Sequence, residues 1–282
     1  MVLALISMHF LKLSYRGLVR ELNKNTVGFS LSKICGFEGK IPKSHTTFTR
    51  FRDRLGINFF ILIYFAVLIR SLILLKENFK IKKILVIDSF FIETSKNTTG
   101  YWTKIKRKGK KIWVRGIKLH AIGVVLDLPL AFTVTKGNRH DSQVLKPLLK
   151  DWVKFFKESI PSELRDFFNF RFLIGDSAYD SKKLRKFAWN FLKIICLFSR
   201  NPRKSKEKRK KFHRLRRIHR VSIERIFKRL KRLGMNKIAK KVKRIEAKRI
   251  HCCLALTCLH LISITALENG CPKSFRSLVT FQ

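Results

Sequence analysis

The first 80 residues place apolar and polar positions at the three- and four-residue spacing of helices. In the segment YRGLVRELNKN, Leu18 and Leu22 lie four positions apart with charged residues between them. Pro42 ends the segment before the next helix, which Ser44 or Thr46 can cap. The apolar positions of that next helix are Phe48, Phe51 and Leu55. We expect the arginines between them to project away from this apolar face: Arg50, Arg52 and Arg54.

A helix, a turn and a short basic helix are compatible with a helix-turn-helix module that reads DNA. A small helical bundle without that function gives the same pattern. The most apolar stretch, FFILIYFAVLI, runs from Phe59 to Ile69 before Arg70 interrupts it. A membrane span needs about 20 apolar residues, so this stretch predicts a buried helix. We therefore expect residues 1–80 to form an all-α region that binds the end of a DNA element.

The pattern changes from helical to strand-like at Ile81. Short apolar runs bounded by turn residues predict three strands, and further segments add a helix, a strand, a helix, a strand and a long basic helix. The strand segments are KKILVIDSFFIE, KIWVRGIKLHAIGVVLD, LPLAFTVTKG, NFRFLIGD and LKIICLFS. This order predicts an α/β domain with a mixed sheet flanked by helices over residues 81–282.

The net charge of the chain indicates what kind of molecule it binds. The chain has 63 Lys and Arg residues against 18 Asp and Glu residues, a formal net charge of +45. Such an excess repels itself and requires a polyanion to balance it, which favours nucleic acid over an anionic membrane surface. The six cysteines include no Cys-x-x-Cys pair, which favours reduced thiols in an intracellular protein. We read HCCLALTCLH, from His251 to His260, as part of a buried helix and not as a zinc site.

Because acids are scarce, each carboxylate can be considered singly. Asp88 and Asp176 each follow a buried apolar run, ILVI and FLIG. Residues at the carboxyl ends of neighbouring strands meet at one edge of a sheet, where α/β folds place their sites. The alternative is that each aspartate is a turn residue or a helix cap. Asp141, which also precedes a helix, is more typical of a cap than of a metal ligand.

Glu224 is the one acid in the basic helix RRIHRVSIERIFKRLKR. At 100° per residue it shares a stripe with Arg217, Arg220 and Lys231. The opposite face is apolar and consists of Ile223, Ile226, Phe227 and Leu230. On the helix alone, Glu224 fits a salt bridge to Arg220. Two aspartates and a glutamate from separate segments are also the oxygen ligands that two Mg²⁺ or Mn²⁺ ions need for phosphoryl transfer.

With these residues in place, the sequence resembles the DDE transposases of bacterial and archaeal insertion sequences, whose catalytic domain is ribonuclease H-like. The similar segments are ILVIDSFFIE, RGIKLHAIGVVLDLPLAFTVTKGNRHDSQVLKPLL, FLIGDSAYDSKKLR and RVSIERIFKRLK. The last resembles the family signature Tyr-x2-Arg-x3-Glu-x6-Lys, which Arg220, Glu224 and Lys231 match. Arg217 stands where the signature has tyrosine, a departure that bears on stacking against DNA.

The resemblance implies a metal-binding catalytic triad of Asp88, Asp176 and Glu224, with Mg²⁺ or Mn²⁺, two ions in all. It also implies that Arg220 and Lys231 contact the transposon-end DNA. Arg217 is a further candidate for DNA contact, and on the strand GIKLH so are Lys118 and His120. The alternative for Lys118 and His120 is an ordinary exposed strand face. Trp102 and Trp113 bracket a basic loop that suits base stacking and phosphate contact, or else ordinary packing.

The expected activity is hydrolysis of a phosphodiester at each transposon end, followed by attack of the freed 3′-hydroxyl on target DNA. The expected partners are double-stranded DNA, both terminal inverted repeats and target, and a second protomer, with no membrane. The expected location is the cytoplasm of a prokaryote, associated with the nucleoid. Two alternatives stay open: an inactive DNA-binding remnant of a transposase, and a ribonuclease H-like nuclease that only hydrolyses.

Overall fold

The computed structural model describes residues 1–24, 30–37, 40–107, 109–199 and 213–277. Its N-terminal region is helical, as the sequence predicts. The helices are α1 (Val2–Phe10), α2 (Tyr15–Leu22), α3 (Leu31–Ile34) and α4 (His45–Asn78). The predicted cap is confirmed, because the Ser44 side chain accepts a hydrogen bond from the backbone N–H of Thr46 at 3.2 Å. The DNA-binding role of this region stays a prediction.

Helix α4 joins two segments that the sequence presents as separate, a basic one and an apolar one. The break between them is at Gly56, whose φ of 68° is a conformation that glycine adopts at little cost. One arginine departs from the expectation, because Arg52 does not project into solvent. Its side chain is buried and donates hydrogen bonds to Asp53 and Tyr15.

Six strands of the described residues form one mixed sheet. They are β1 (Ile84–Glu93), β2 (Tyr101–Arg107), β3 (Lys110–Val124), β4 (Leu128–Lys136), β5 (Phe172–Gly175) and β6 (Ile195–Phe198). The order is β2-β3-β1-β5-β6, and β4 pairs with the second half of β3. The β1–β3, β2–β3 and β3–β4 pairs are antiparallel, whereas β1–β5 and β5–β6 are parallel. Strand β2 corrects the sequence prediction, because the basic segment between Trp102 and Trp113 is a hairpin and not a loop.

Helices cover the sheet. They are α5 (Ser142–Ser159), α6 (Ser162–Phe167), α7 (Lys182–Leu192), α8 (His213–Arg232), α9 (Met235–Lys241) and α10 (Ile245–Glu268). Helix α8 packs on β1, β3 and β5, and α5 packs on β4 and α7. The short helices α6 and α9 add to the predicted elements. The predicted α/β class and the mixed sheet flanked by helices are therefore present.

Helix α10 is the central element that ties the two regions together. It packs along α4 and also contacts α1, α9 and β4. The cysteines predicted to be buried in this helix are buried: Cys252, Cys253 and Cys258. Core residues from Ala4 to Phe275 form one hydrophobic cluster. The boundary near residue 80 thus marks a change of secondary structure within a shared core, and its functional meaning stays a prediction.

In the part of the chain that the structure describes, two helices are long and apolar enough to cross a membrane when only length and composition are considered. They are α4 and α10, and a third span results if the bent pair α1–α2 is taken as one. Within the fold, 83% of the most apolar window of α10 is buried, against 33% for α4. Protein therefore covers most of α10 and less of α4, and the expected lack of a membrane partner stays a prediction.

Candidate active site

The parallel pair β1–β5 brings the two aspartates together. Val86 of β1 pairs with Ile174 of β5, so Asp88 and Asp176 each lie two positions beyond this pair. The predicted adjacency of the two strands is confirmed. One detail is corrected: Asp88 does not end its strand, because β1 continues to Glu93. Asp88 lies instead at the level where β5 ends, so β5 no longer pairs with β1 beyond this point.

The Asp88 carboxylate is held in a poorly solvated position. Its side chain is only 17% exposed, and one oxygen accepts a hydrogen bond from the backbone N–H of Ser89 at 2.8 Å. Burial raises the pKa of Asp88 to about 7, and the nearby carboxylates of Asp176 and Asp141 act in the same direction. The Ser89 N–H and the Arg220 guanidinium oppose this rise. A cation placed here would favour the ionised form.

The Asp176 side chain begins the turn that follows β5. It accepts a hydrogen bond from the backbone N–H of Ala178 at 2.8 Å, as a cap does. The ring of Tyr179 in the same turn is fully buried. Burial raises the pKa of the Tyr179 hydroxyl far above its ordinary value, and the carboxylates of Asp141, Asp88 and Asp176 raise it further. Three carboxylates therefore lie around one buried ring.

Asp141 is the member of this group that the sequence predicts to be a helix cap. It precedes α5, but its side chain makes no capping hydrogen bond. One oxygen accepts from Ser89 Oγ at 3.0 Å, and the other lies 2.9 Å from Lys118 Nζ. One sequence feature indicated polar partners for Asp141, because Lys118 and His120 alternate on one face of β3. In the structure, His120 pairs with Ser89 across the sheet.

Two of the predicted DNA contacts lie beside Asp141. Lys118 donates hydrogen bonds to Asp141 and to the backbone carbonyl of Arg139. His120 is fully buried and hydrogen-bonds to Thr135 at 2.9 Å, so its ring is not on a surface that DNA reaches. The burial of His120 does not favour the expected DNA contact, which stays a prediction. Burial also lowers the pKa of His120 to about 4, with Asp141 opposing this effect, so the ring is neutral near pH 7.

Helix α8 carries Glu224 and is anchored to the turn between β3 and β4. Ser222 Oγ donates to the carbonyl of Val125 at 2.8 Å, and Arg229 donates to the carbonyl of Asp127 at 3.1 Å. The helix also lies close to β3, since a Cβ on Gly123 would come within 2.7 Å of an Ile226 methyl group. The predicted apolar face of α8 is confirmed as buried: Ile223, Ile226, Phe227 and Leu230.

Glu224 lies on the open face of α8, and its side chain is 57% exposed. Its oxygen lies 3.6 Å from Arg220 Nη2, which lies 3.7 Å from Asp88. The predicted salt bridge is therefore present, and the same guanidinium also reaches the strand-borne carboxylate. Lys231 is exposed with its ammonium 4.8 Å from the centre of the Phe90 ring. The side chain of Arg217 lies outside the described residues.

In donor type this edge of the sheet suits a hard divalent cation, because carboxylate oxygens are the ligands that Mg²⁺ and Mn²⁺ prefer. In the described part of the chain, however, no three His, Cys, Asp or Glu side chains already form a metal-binding group. The positive charge of Arg220 lies between Asp88 and Glu224. It offsets the repulsion between the two carboxylates, as a bound metal ion would. The side chains of Asp88, Asp176 and Glu224 carry the right donor type for a metal ion, and Arg220 would have to leave Asp88 and Glu224 for an ion to bind between them.

Comparison with protein families identifies the family of the chain. A family model described as the transposase DDE domain matches residues 80–261. The chain belongs to this family. The matched span runs from the start of the sheet into α10 and contains Asp88, Asp176 and Glu224. A search of the curated proteins found no match. The resemblance to the DDE transposases is thus confirmed at the level of the family, and the insertion-sequence origin stays a prediction.

Proposed function

We propose that this member of the DDE transposase family cleaves DNA at the ends of a transposable element and joins the freed 3′-hydroxyl to target DNA. The triad would be Asp88, Asp176 and Glu224, held by a ribonuclease H-like fold. The observation that carries the proposal is the β1–β5 register, which sets Asp88 beside Asp176. A second observation supports it, because the Arg220 side chain lies close to both Asp88 and Glu224 on α8. The sheet order agrees with the proposed fold.

The chemistry assigned to the site is in-line displacement on phosphorus. Two divalent ions, Mg²⁺ or Mn²⁺, would supply activation of the attacking water or 3′-hydroxyl and stabilisation of the leaving oxygen. The protein's part is to hold oxygen ligands rigidly, which the backbone N–H bonds to Asp88 and Asp176 do. Arg220 would turn from the carboxylates to a phosphate oxygen, an acceptor that guanidinium groups bind well.

DNA is the proposed partner because the net charge of +45 requires a polyanion. Arg220 and Lys231 lie on the open side of α8 and would contact the end sequence, with Arg217 one turn earlier. Lys118 would act through Asp141, which it already binds. Pairing of two ends requires two protomers on DNA, so we propose a dimer. A prokaryotic cytoplasm, with the protein on the nucleoid and not on a membrane, suits this activity.

A cleavage assay with a labelled inverted-repeat end tests the proposal. We expect strand nicking in Mg²⁺ or Mn²⁺ by the unaltered protein and none by Glu224→Gln, with end binding retained. The matched control is Glu246→Gln, because Glu246 is also an exposed helical acid paired with an arginine. Nicking by Glu224→Gln at the unaltered rate would overturn the triad.

Two further results separate the alternatives. Absence of cleavage by the unaltered protein with either metal, together with specific end binding, would favour the inactive DNA-binding remnant. A substrate with a pre-cleaved 3′-hydroxyl end distinguishes the transposase from the nuclease. The transposase joins this end to a target plasmid, whereas the nuclease only shortens it.

A further inference from the structure

A second concave site lies between the N-terminal helices and the segment that joins α9 to α10. The cavity measures about 490 Å³. Six of its lining residues are lysines and arginines: Lys12, Arg52, Lys237, Lys241, Lys243 and Arg244. We call this cavity the basic pocket. None of the residues assigned to DNA cleavage lines it, so it is separate from the carboxylate site.

Among the described residues, five of the six charges of the basic pocket are not balanced by an acidic side chain. Its one carboxylate belongs to Asp53, and Arg52 binds it through Nε at 2.8 Å and Nη2 at 2.6 Å. Among the described residues, the other five lysines and arginines of the pocket have no ion-pair partner. Like charges gathered around one cavity repel each other, and a bound anion removes that cost.

A buried hydrogen-bonded chain fixes the inner wall of the pocket. Arg52 is 5% exposed, and its Nη1 donates to the Tyr15 hydroxyl at 2.7 Å. Because that oxygen accepts from Arg52, its own proton goes to His251 Nε2 at 2.8 Å. Burial keeps the pKa of His251 well below its ordinary value, so its ring is neutral and its Nδ1 donates to His9 at 3.1 Å. Arg52 is thereby held in place before any ligand arrives.

The backbone adds to the positive potential of the pocket. Helix α10 is 24 residues long and begins beside the cavity, after Arg244, which makes no side-chain capping bond. The first N–H groups of a helix are free to bind an anion, and the helix dipole favours one there. Free N–H groups and several lysines and arginines without an ion-pair partner among the described residues are together the features of a site for a phosphate oxyanion.

We propose that the basic pocket binds a phosphate group. The group belongs either to the backbone of bound DNA or to a free phosphate compound, and the chemistry of recognition is the same for both. The DNA source rests on the proposed function. Helix α8 extends eight residues from Glu224 to Arg232, or about 12 Å, and a Cβ on Gly234, two residues further on, would lie 3.3 Å from Lys12 of the pocket. Along a duplex, about 12 Å is the length of about three to four base pairs.

The test compares two double variants of the full chain. Lys241→Gln with Lys243→Gln removes two charges from the pocket. Lys182→Gln with Lys183→Gln removes two charges from exposed positions at the start of α7, away from the pocket. Inorganic phosphate is titrated into each protein and followed by ³¹P line broadening. In the unaltered protein, acetylation of Lys237 and Lys241 is measured by mass spectrometry with and without phosphate.

We expect saturable binding that protects Lys237 and Lys241, weakened about tenfold or more in the pocket variant and unchanged in the control. In a second arm, duplex binding is measured against salt concentration. The logarithm of the binding constant falls linearly with the logarithm of the salt concentration. If the steepness of this fall is lower by about one to two in the pocket variant alone, the phosphate belongs to DNA. Loss of phosphate binding with an unchanged slope assigns it to a free compound. Equal behaviour of the two variants in both arms would overturn the proposal.

The pocket and the cleavage site can fail independently. Asp176→Asn is expected to bind inorganic phosphate like the unaltered protein, although it should not cleave DNA. If the unaltered protein cleaves no DNA but its pocket still binds phosphate saturably, the proposed function fails and the pocket does not.

Discussion

The carboxylates on the sheet and the carboxylate on α8 are held in different ways. Asp88 has a side chain that is 17% exposed and a backbone N–H donor, whereas Glu224 is 57% exposed and is paired with the Arg220 guanidinium. Strand register fixes the first kind of position before any ligand binds. The second kind depends on the rotation of α8 and on a largely exposed ion pair. The sheet thus supplies a rigid half of the site and the helix an adjustable half.

The largest expected effect comes from the rigid half. Asp176→Asn should lower the rate of end cleavage by more than about 1,000-fold, because it loses a ligand of the ion that would stabilise charge on the reacting phosphate. End binding should change less than about twofold, as measured by electrophoretic mobility shift. The matched control is Asp166→Asn on α6, an exposed acid. Cleavage at a comparable rate in Asp176→Asn and in the control would remove Asp176 from the site.

Arg220 tests whether the adjustable half must open. Arg220→Gln should bind Mn²⁺ more tightly than the unaltered protein, because it no longer competes for Asp88 and Glu224. The same variant should cleave about 10- to 100-fold more slowly, since a phosphate contact is lost. Lys228→Gln on the same helix is the control. Weaker Mn²⁺ binding in Arg220→Gln, measured by titration calorimetry, would mean that Arg220 supports the ligands instead of competing with them.

A substitution of Asp141 tests whether this residue belongs to the rigid half of the site with Asp88 and Asp176. Asp141→Asn leaves Lys118 without its carboxylate partner and removes one of the three acids near Tyr179. We expect cleavage to fall about 10- to 100-fold, the range typical of residues that orient metal ligands. The double variant with Lys118→Met should recover part of this loss. An unchanged cleavage rate in Asp141→Asn would limit the site to the triad.

The smallest effect concerns stability. The pKa of Asp88 in the fold is about 7, above the value of about 4 in an unfolded chain. Between these values the folded state binds more protons, so the free energy of unfolding falls as pH rises from about 4 to 7. Asp88→Asn should therefore raise the melting temperature at pH 8 by about 2–4 °C in chelator, and by less at pH 5. Equal shifts at both pH values would contradict the raised pKa.

Local patterns were sufficient to predict most elements and the adjacency of Asp88 and Asp176. The apolar runs of β1 and β5, and the apolar face of α8, are properties of a few consecutive residues. The strand β2 was missed because its side chains are largely basic or polar, and Trp102 is 56% exposed, so no apolar alternation marks it.

The residues that sequence misplaced depend on distant partners. Arg52 is buried because Tyr15, 37 positions away, receives its hydrogen bond. Asp141 leaves the expected capping role because Lys118 and Ser89 reach it from other strands, 23 and 52 positions away. His120 is buried beside them and hydrogen-bonds to Thr135. Periodicity within one helix or strand carries no information on such pairs.

Mn²⁺ binding tests the central claim, that residues from the sheet and from α8 form one metal site, most directly. Titration of the unaltered protein, followed by electron paramagnetic resonance, should show binding that weakens about tenfold or more in Asp88→Asn, Asp176→Asn and Glu224→Gln alike. Glu246→Gln should behave as the unaltered protein does. Unchanged Mn²⁺ affinity in Glu224→Gln, with loss in both aspartate variants, would contradict the claim and confine the site to the sheet.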